Sequence, residues 1–170
     1  EFMDLETGEP NINRWVREPR ADQALAQGLK GFDDRYSLYN YILPAFHDLL
    51  GPVGLYVLTA MGQDGVIRYE DGKFRRDFSV MRILRFMAEE GMGKPLKEAD
   101  AQVEEMQAFL EDHDVHDDLQ IQNMLVFYSP KADLSVSAPP RPVITPKALK
   151  KTLRKQASAK MPDEQLAELQ

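Results

Sequence analysis

Leu49-Leu50-Gly51-Pro52-Val53-Gly54 runs directly into Leu55-Tyr56-Val57-Leu58-Thr59-Ala60-Met61, and Gly62-Gln63-Asp64-Gly65 then leads into Val66-Ile67-Arg68-Tyr69. Apolar runs of strand length, separated by turns rich in glycine, proline and aspartate, read as strand, tight turn, strand, tight turn, strand. This is a β-meander, and it sets the expectation of a domain built around a sheet. Upstream, 36–43 mixes aromatic and aliphatic residues before Pro44, which suits a first strand ending at an X-Pro bend. Downstream, Asp71-Gly72 supplies the positive φ of a hairpin turn, and 74–76 returns as a strand.

Helical spacing brackets the meander. Ala24, Leu25 and Leu29 give a short amphipathic helix over 21–30, with Gly31 where a terminating glycine belongs. Val80, Ile83, Leu84, Met87 and Ala88 predict a helix over 78–90, stopped by Gly91 and Gly93. After Pro95, the series Ala99, Val103, Met106, Ala108, Phe109 and Leu110 predicts a longer helix on an acidic background. Met124 to Tyr128 is apolar without alternation, so the strand over 121–128 is expected to be covered on both faces. Val143-Ile144 reads as a short strand, and the helix after it takes Thr145 as its cap with Pro146 in its first turn. The expected fold is α/β, a mixed sheet with a central meander flanked by helices. The expected division is an extended leader over 1–20 anchored by Trp15, a domain over 21–160, and a tail or short helix over 161–170 begun at Pro162.

A chain of 170 residues, 43% hydrophobic, suits one domain with one sizeable core. Its 21 Lys and Arg against 28 Asp and Glu, a net charge of −7, argue against a surface that tracks a phosphate backbone over its whole extent. It contains no cysteine, which removes disulfides, thiolate ligands and a Cys nucleophile and is compatible with a cytoplasmic location. No apolar run reaches about 18 residues, the length of a membrane-spanning helix, and no signal peptide is recognisable. The opening Glu1-Phe2-Met3 reads as a cloning remnant, and the chain as a piece of something longer. No Gly-x-Ser-x-Gly, phosphate-cradling loop or dinucleotide fingerprint is present, since Gly62-Gln63-Asp64-Gly65 lacks the Lys and the helix start that such a loop needs.

Several short words recur in a recognisable order: Asn13-Arg14-Trp15, Leu29-Lys30-Gly31, Asp33-Asp34-Arg35-Tyr36, Leu50-Gly51-Pro52 to Gly54, and Leu125-Val126-Phe127. In these the chain resembles the nuclease-related (NERD) domain of the PD-(D/E)xK restriction-endonuclease-like superfamily, over roughly residues 22–154, and most closely a group of bacterial proteins. The resemblance implies a restriction-endonuclease-like mixed sheet. In that group the domain lies at the cytoplasmic end of a protein with membrane-spanning helices just before it, which implies a membrane anchor in a segment outside this chain. Active members of the superfamily hold a divalent cation, Mg²⁺ or Mn²⁺, with an Asp and the Glu of Glu-x-Lys, while the Lys stabilises charge or orients water. Aligned on Gly54-Leu55-Tyr56-Val57-Leu58, the family's Glu falls at Thr59, its Lys at Met61 and its Asp at Phe46, with His47 matching a usual His and Asp22 standing for the acid of the first helix. The resemblance thus implies a degenerate catalytic site. Asp48, Asp64 and Glu70 are the carboxylates that could rescue a metal site, although Asp64 and Glu70 sit beside turn glycines, where acids are ordinary.

Three further constellations carry chemistry. His113, Asp114, His116 and Asp117 are competent ligands for a transition metal, and equally a solvated acidic loop after a helix. Lys147, Lys150, Lys151, Arg154 and Lys155 form a basic helix suited to phosphate or to an anionic membrane surface, with Leu149 and Leu153 as its narrow apolar stripe. Tyr36, Tyr39, Tyr41, Phe46 and Tyr56 resemble a stacking platform for single strands, but without interleaved cations they read as strand core.

The leading expectation is a non-catalytic nuclease-like domain, a binding or scaffold module with a protein partner or a membrane surface and no cofactor. A divergent metal-dependent nuclease acting on DNA or RNA is the alternative, with nucleic acid the less favoured partner. A generic protein-interaction domain is the third.

Overall fold

The structure, a computed structural model, describes residues 12–43, 47–76, 94–115 and 119–157, with backbone only over 12–18. Its centre is the hairpin of β2 (His47–Gly51) and β3 (Gly54–Met61), closed by Pro52 and Val53 with Gly51 facing Gly54. Gly54 holds φ 135°, and a Cβ there would lie 2.2 Å from the Gln120 carbonyl oxygen. Only glycine allows the neighbouring segment to pass this closely and the Leu55 amide to donate to Gln120 at 2.9 Å.

β1 (Ser37–Asn40) pairs antiparallel with β2; β6 (Ile121–Phe127) lies parallel to β3, and β8 (Val143–Ile144) parallel to β6. The resulting order is β1-β2-β3-β6-β8, a five-stranded mixed sheet. Side-chain alternation divides it into two faces. Leu49, Tyr56, Leu58, Met124 and Val126 pack on Leu25 of α1 (Ile12–Leu29) and on Leu149 and Leu153 of α3 (Leu149–Gln156). Leu50, Leu55 and Val57 face Met106 of α2 (Pro95–Asp112), and Met61, Leu125 and Phe127 face its Ala99. The fold is α/β, with β6 covered on both faces as its unbroken apolar run requires.

The second half of the expected meander does not form. β4 (Gly65–Glu70) does not pair with β3 but leaves for a second sheet, where it lies between β5 (Lys73–Arg76) and β7 (Ala132–Val136) in the order β5-β4-β7. The reason lies in the other strands. β6 is the more apolar partner for the far edge of β3, and it takes that edge over seven residue pairs from Leu55↔Ile121 to Met61↔Phe127. The Asp71-Gly72 hairpin forms as expected, with φ 51° and 76° and Glu70 facing Lys73. The small sheet docks through Ile67 and Phe74, the latter 6.1 Å from the Phe127 ring.

Other boundaries shift. α1 starts at Ile12, inside the stretch expected to be an extended leader, and carries Pro19 in its interior. Ile12, Trp15 and Val16 already have helical spacing, which the proline obscures. β1 stops at Asn40, where Tyr41 takes φ 66° and breaks the extended backbone. Thr145 makes no side-chain cap; it precedes a 3₁₀ turn, Pro146–Ala148, that leads into α3. The predicted helix over 78–90, Phe46, His116, Asp117 and the tail over 161–170 lie outside the described residues.

Candidate functional site

The face of the sheet beneath α2 carries a polar strip in the middle of the apolar core. Alternation puts Leu55, Val57, Thr59 and Met61 of β3 on this face, together with Asp48 of β2, which stands directly across from Val57. Thr59 and Met61 are both buried. The Thr59 hydroxyl donates to Oε1 of Gln102 on α2 at 2.5 Å and accepts from Nδ2 of Asn123 on β6 at 2.9 Å. Asn123 Nδ2 also donates to the Val57 carbonyl at 2.9 Å, and its Oδ1 accepts from Arg141 Nη1 at 3.3 Å. Arg141 in turn pairs with Asp100 of α2. Each such bond contributes about 1 kcal/mol net, but loss of one partner would leave buried polar atoms unsatisfied at about 1–3 kcal/mol each. Met61 continues the strip as packing, among Ile67, Ala99, Leu125 and Phe127. Positions 59 and 61 thus hold a hydroxyl committed to two amides and a thioether in the core.

Asp48 is wholly buried, and among the described residues neither of its carboxylate oxygens has a hydrogen-bond partner. Burial pushes its carboxyl up to about 7, since ionising it without solvent or a countercharge is costly. His47, the next residue, points to the opposite face. Its Nδ1 lies 3.2 Å from Oδ1 of Asp22 on α1 and 3.1 Å from Oδ1 of Asn40. The Tyr41 hydroxyl donates to Oδ2 of the same Asp22 at 2.7 Å. The acid of the first helix and Asp48 therefore lie on opposite sides of β2 and cannot share a cation.

The rescue carboxylates do not converge. Asp64 sits in the loop after β3, where the Ser129 hydroxyl donates to its Oδ1, and Glu70 is exposed at the far end of β4 in the second sheet. Among the described residues no group of three His, Asp or Glu side chains could hold a metal ion. His113 is exposed, with Nδ1 2.8 Å from the Phe109 carbonyl oxygen of its own helix, and Asp114 is exposed beside it in a φ 52° turn.

The basic helix divides by facing. Leu149 and Leu153 dock in the core as their spacing implied. Lys150 donates to the Lys30 carbonyl, and the Arg154 guanidinium lies 5.3 Å from the Phe32 ring centroid. Lys147, Lys151, Arg154 and Lys155 are exposed. The tyrosines do not form one platform: Tyr56 is core on the α1 face, Tyr39 packs on the α2 side and Tyr41 is exposed.

Sequence reasoning missed Gln102, Asn123, Asp100 and Arg141. Asn123 carried a signal: it is the one polar side chain between Ile121 and Phe127 besides Gln122, and it stands where an unbroken apolar run would be expected. No family model, curated protein or solved structure matches the chain in comparisons of sequence and fold.

Proposed function

We propose that this chain is a non-catalytic, nuclease-related domain that serves as a binding or scaffold module. The observation that carries this reading is the closed strip under α2. Thr59 and Met61, aligned with the family's Glu and Lys, are spent on Gln102, Asn123 and the apolar core, which leaves Asp48 without a second carboxylate beside it among the described residues. A two-carboxylate cation site needs a second anionic ligand on the same face, and Asp22 is committed to the other. The strip reads as a nuclease-like scaffold whose interior has been refilled with packing and neutral hydrogen bonds.

The membrane side of this proposal draws support from α3, whose exposed Lys151, Arg154 and Lys155 would present roughly 1 kcal/mol of attraction each to an anionic cytoplasmic leaflet. No helix among the described residues is long and apolar enough to cross a bilayer, so any anchor would come from elsewhere in the protein. Calorimetric titration of Mn²⁺ and Mg²⁺ tests the core of the reading. We expect no saturable heat for either ion; one-to-one binding that vanishes in Asp48→Asn would overturn it.

A further inference from the structure

A cleft of about 1340 Å³ opens where the C-terminal ends of β3 and β6 emerge, walled by the second half of α1, the 3₁₀ turn Pro146–Ala148 and the loops that follow the two strands. The strands are parallel and adjacent, so both loops leave the same edge, the edge at which open α/β sheets present ligands. α1 and the 3₁₀ turn meet closely here: a Cβ on Gly28 would lie 2.6 Å from the Pro146 carbonyl oxygen. Among the described residues the walls carry Arg20, Arg76, Lys147 and Lys150 against the one carboxylate of Asp64, in a chain whose net charge is −7. Asp64 is itself engaged, its side chain by the Ser129 hydroxyl and its carbonyl by Arg76 Nε at 2.6 Å. Gln63, also on the wall, has a buried Oε1 without a hydrogen-bond partner among the described residues.

We infer that this cleft binds a small phosphorylated ligand. Arg20 and Lys147, with Arg76 and Lys150 beside them already donating to the Asp64 and Lys30 carbonyls, set a cationic field around one concavity that suits phosphoryl oxygens. A strand of nucleic acid fits less well, because it needs a cationic track beyond the cleft and this molecule is acidic overall. The cleft shares no residue with the strip under α2, so its occupancy is independent of whether that strip is retired.

The probe is inorganic pyrophosphate, titrated calorimetrically at low salt into the wild-type chain, into Arg20→Glu/Lys147→Glu, and into Lys151→Glu/Lys155→Glu on the outward side of α3. All four side chains are exposed, and unchanged thermal denaturation verifies the fold of each variant. Saturable binding that weakens at least about tenfold in the cleft variant and stays within about twofold in the outward variant is expected. Absence of wild-type binding, or equal loss in both variants, would overturn the inference. So would tighter binding of an oligothymidylate than of pyrophosphate with dependence on both pairs, which would assign the charge to nucleic acid.

Discussion

Asp48 and His47 are neighbours in the chain and face opposite sides of the sheet, one without a hydrogen-bond partner among the described residues and the other beside Asp22. The buried carboxylate has a thermodynamic signature. Its folded-state value of about 7 lies above the ordinary 3.8, so between these values the native state holds a proton that the unfolded chain has lost. Stability is therefore full below about pH 4 and falls as pH rises to about 7, by on the order of 4 kcal/mol at most. Urea unfolding at pH 5 and pH 8 is expected to show the wild type weaker at pH 8 and Asp48→Asn nearly flat over the same interval; a wild type equally stable at both would contradict the assignment. Gly54→Ala meets both a positive φ and the Gln120 carbonyl. It is expected to cost more than about 2 kcal/mol in the same assay. At this scale the sequence was partly legible. The resemblance implies that Thr59 and Met61 lack metal-binding chemistry, but the Asp22–His47 contact joins positions 25 apart, and no local pattern encodes it.

Among the elements, the hairpin turns and apolar strands could be read because their signals are local. Pro52 and Val53 between two glycines, and Asp71-Gly72 with both residues at positive φ, carry their geometry in their residue types. β7 escaped because its burial alternates, with Asp133 and Ser135 outward, and its apolar content is modest. The first half of α1 is hidden in the sequence because Pro19 is a helix breaker by propensity, although the structure carries it within an 18-residue helix. α3 was legible in its stripe and depends on it. Eight residues are too few for an isolated helix, so docking of Leu149 and Leu153 must hold it. Leu153→Ala is expected to cost about 2–5 kcal/mol, whereas Lys151→Ala should change stability by less than about 0.5 kcal/mol. Chemical denaturation of the two variants side by side checks the difference.

At the scale of the molecule, the chain alternates between two sheets: three strands into the first, two into the second, then one return to each before β8 closes the first. A mixed sheet with helices on both faces was legible from the unbroken run of β6 and the helical spacing around it. The departure of β4 was not, because Gly62–Gly65 permits either a tight turn or an exit, and the choice depends on competition from a strand some sixty residues later. The same long-range pairing builds the closed strip, since Asn123 reaches Thr59 only once β6 lies beside β3.

If the face beneath α2 is, as proposed, a nuclease-like face filled with packing, the chain has no nuclease activity. Supercoiled DNA incubated with the purified chain in Mn²⁺ or Mg²⁺ is predicted to remain supercoiled at every protein concentration. Nicking that EDTA abolishes and that Asp48→Asn removes from the same preparation would overturn the proposal.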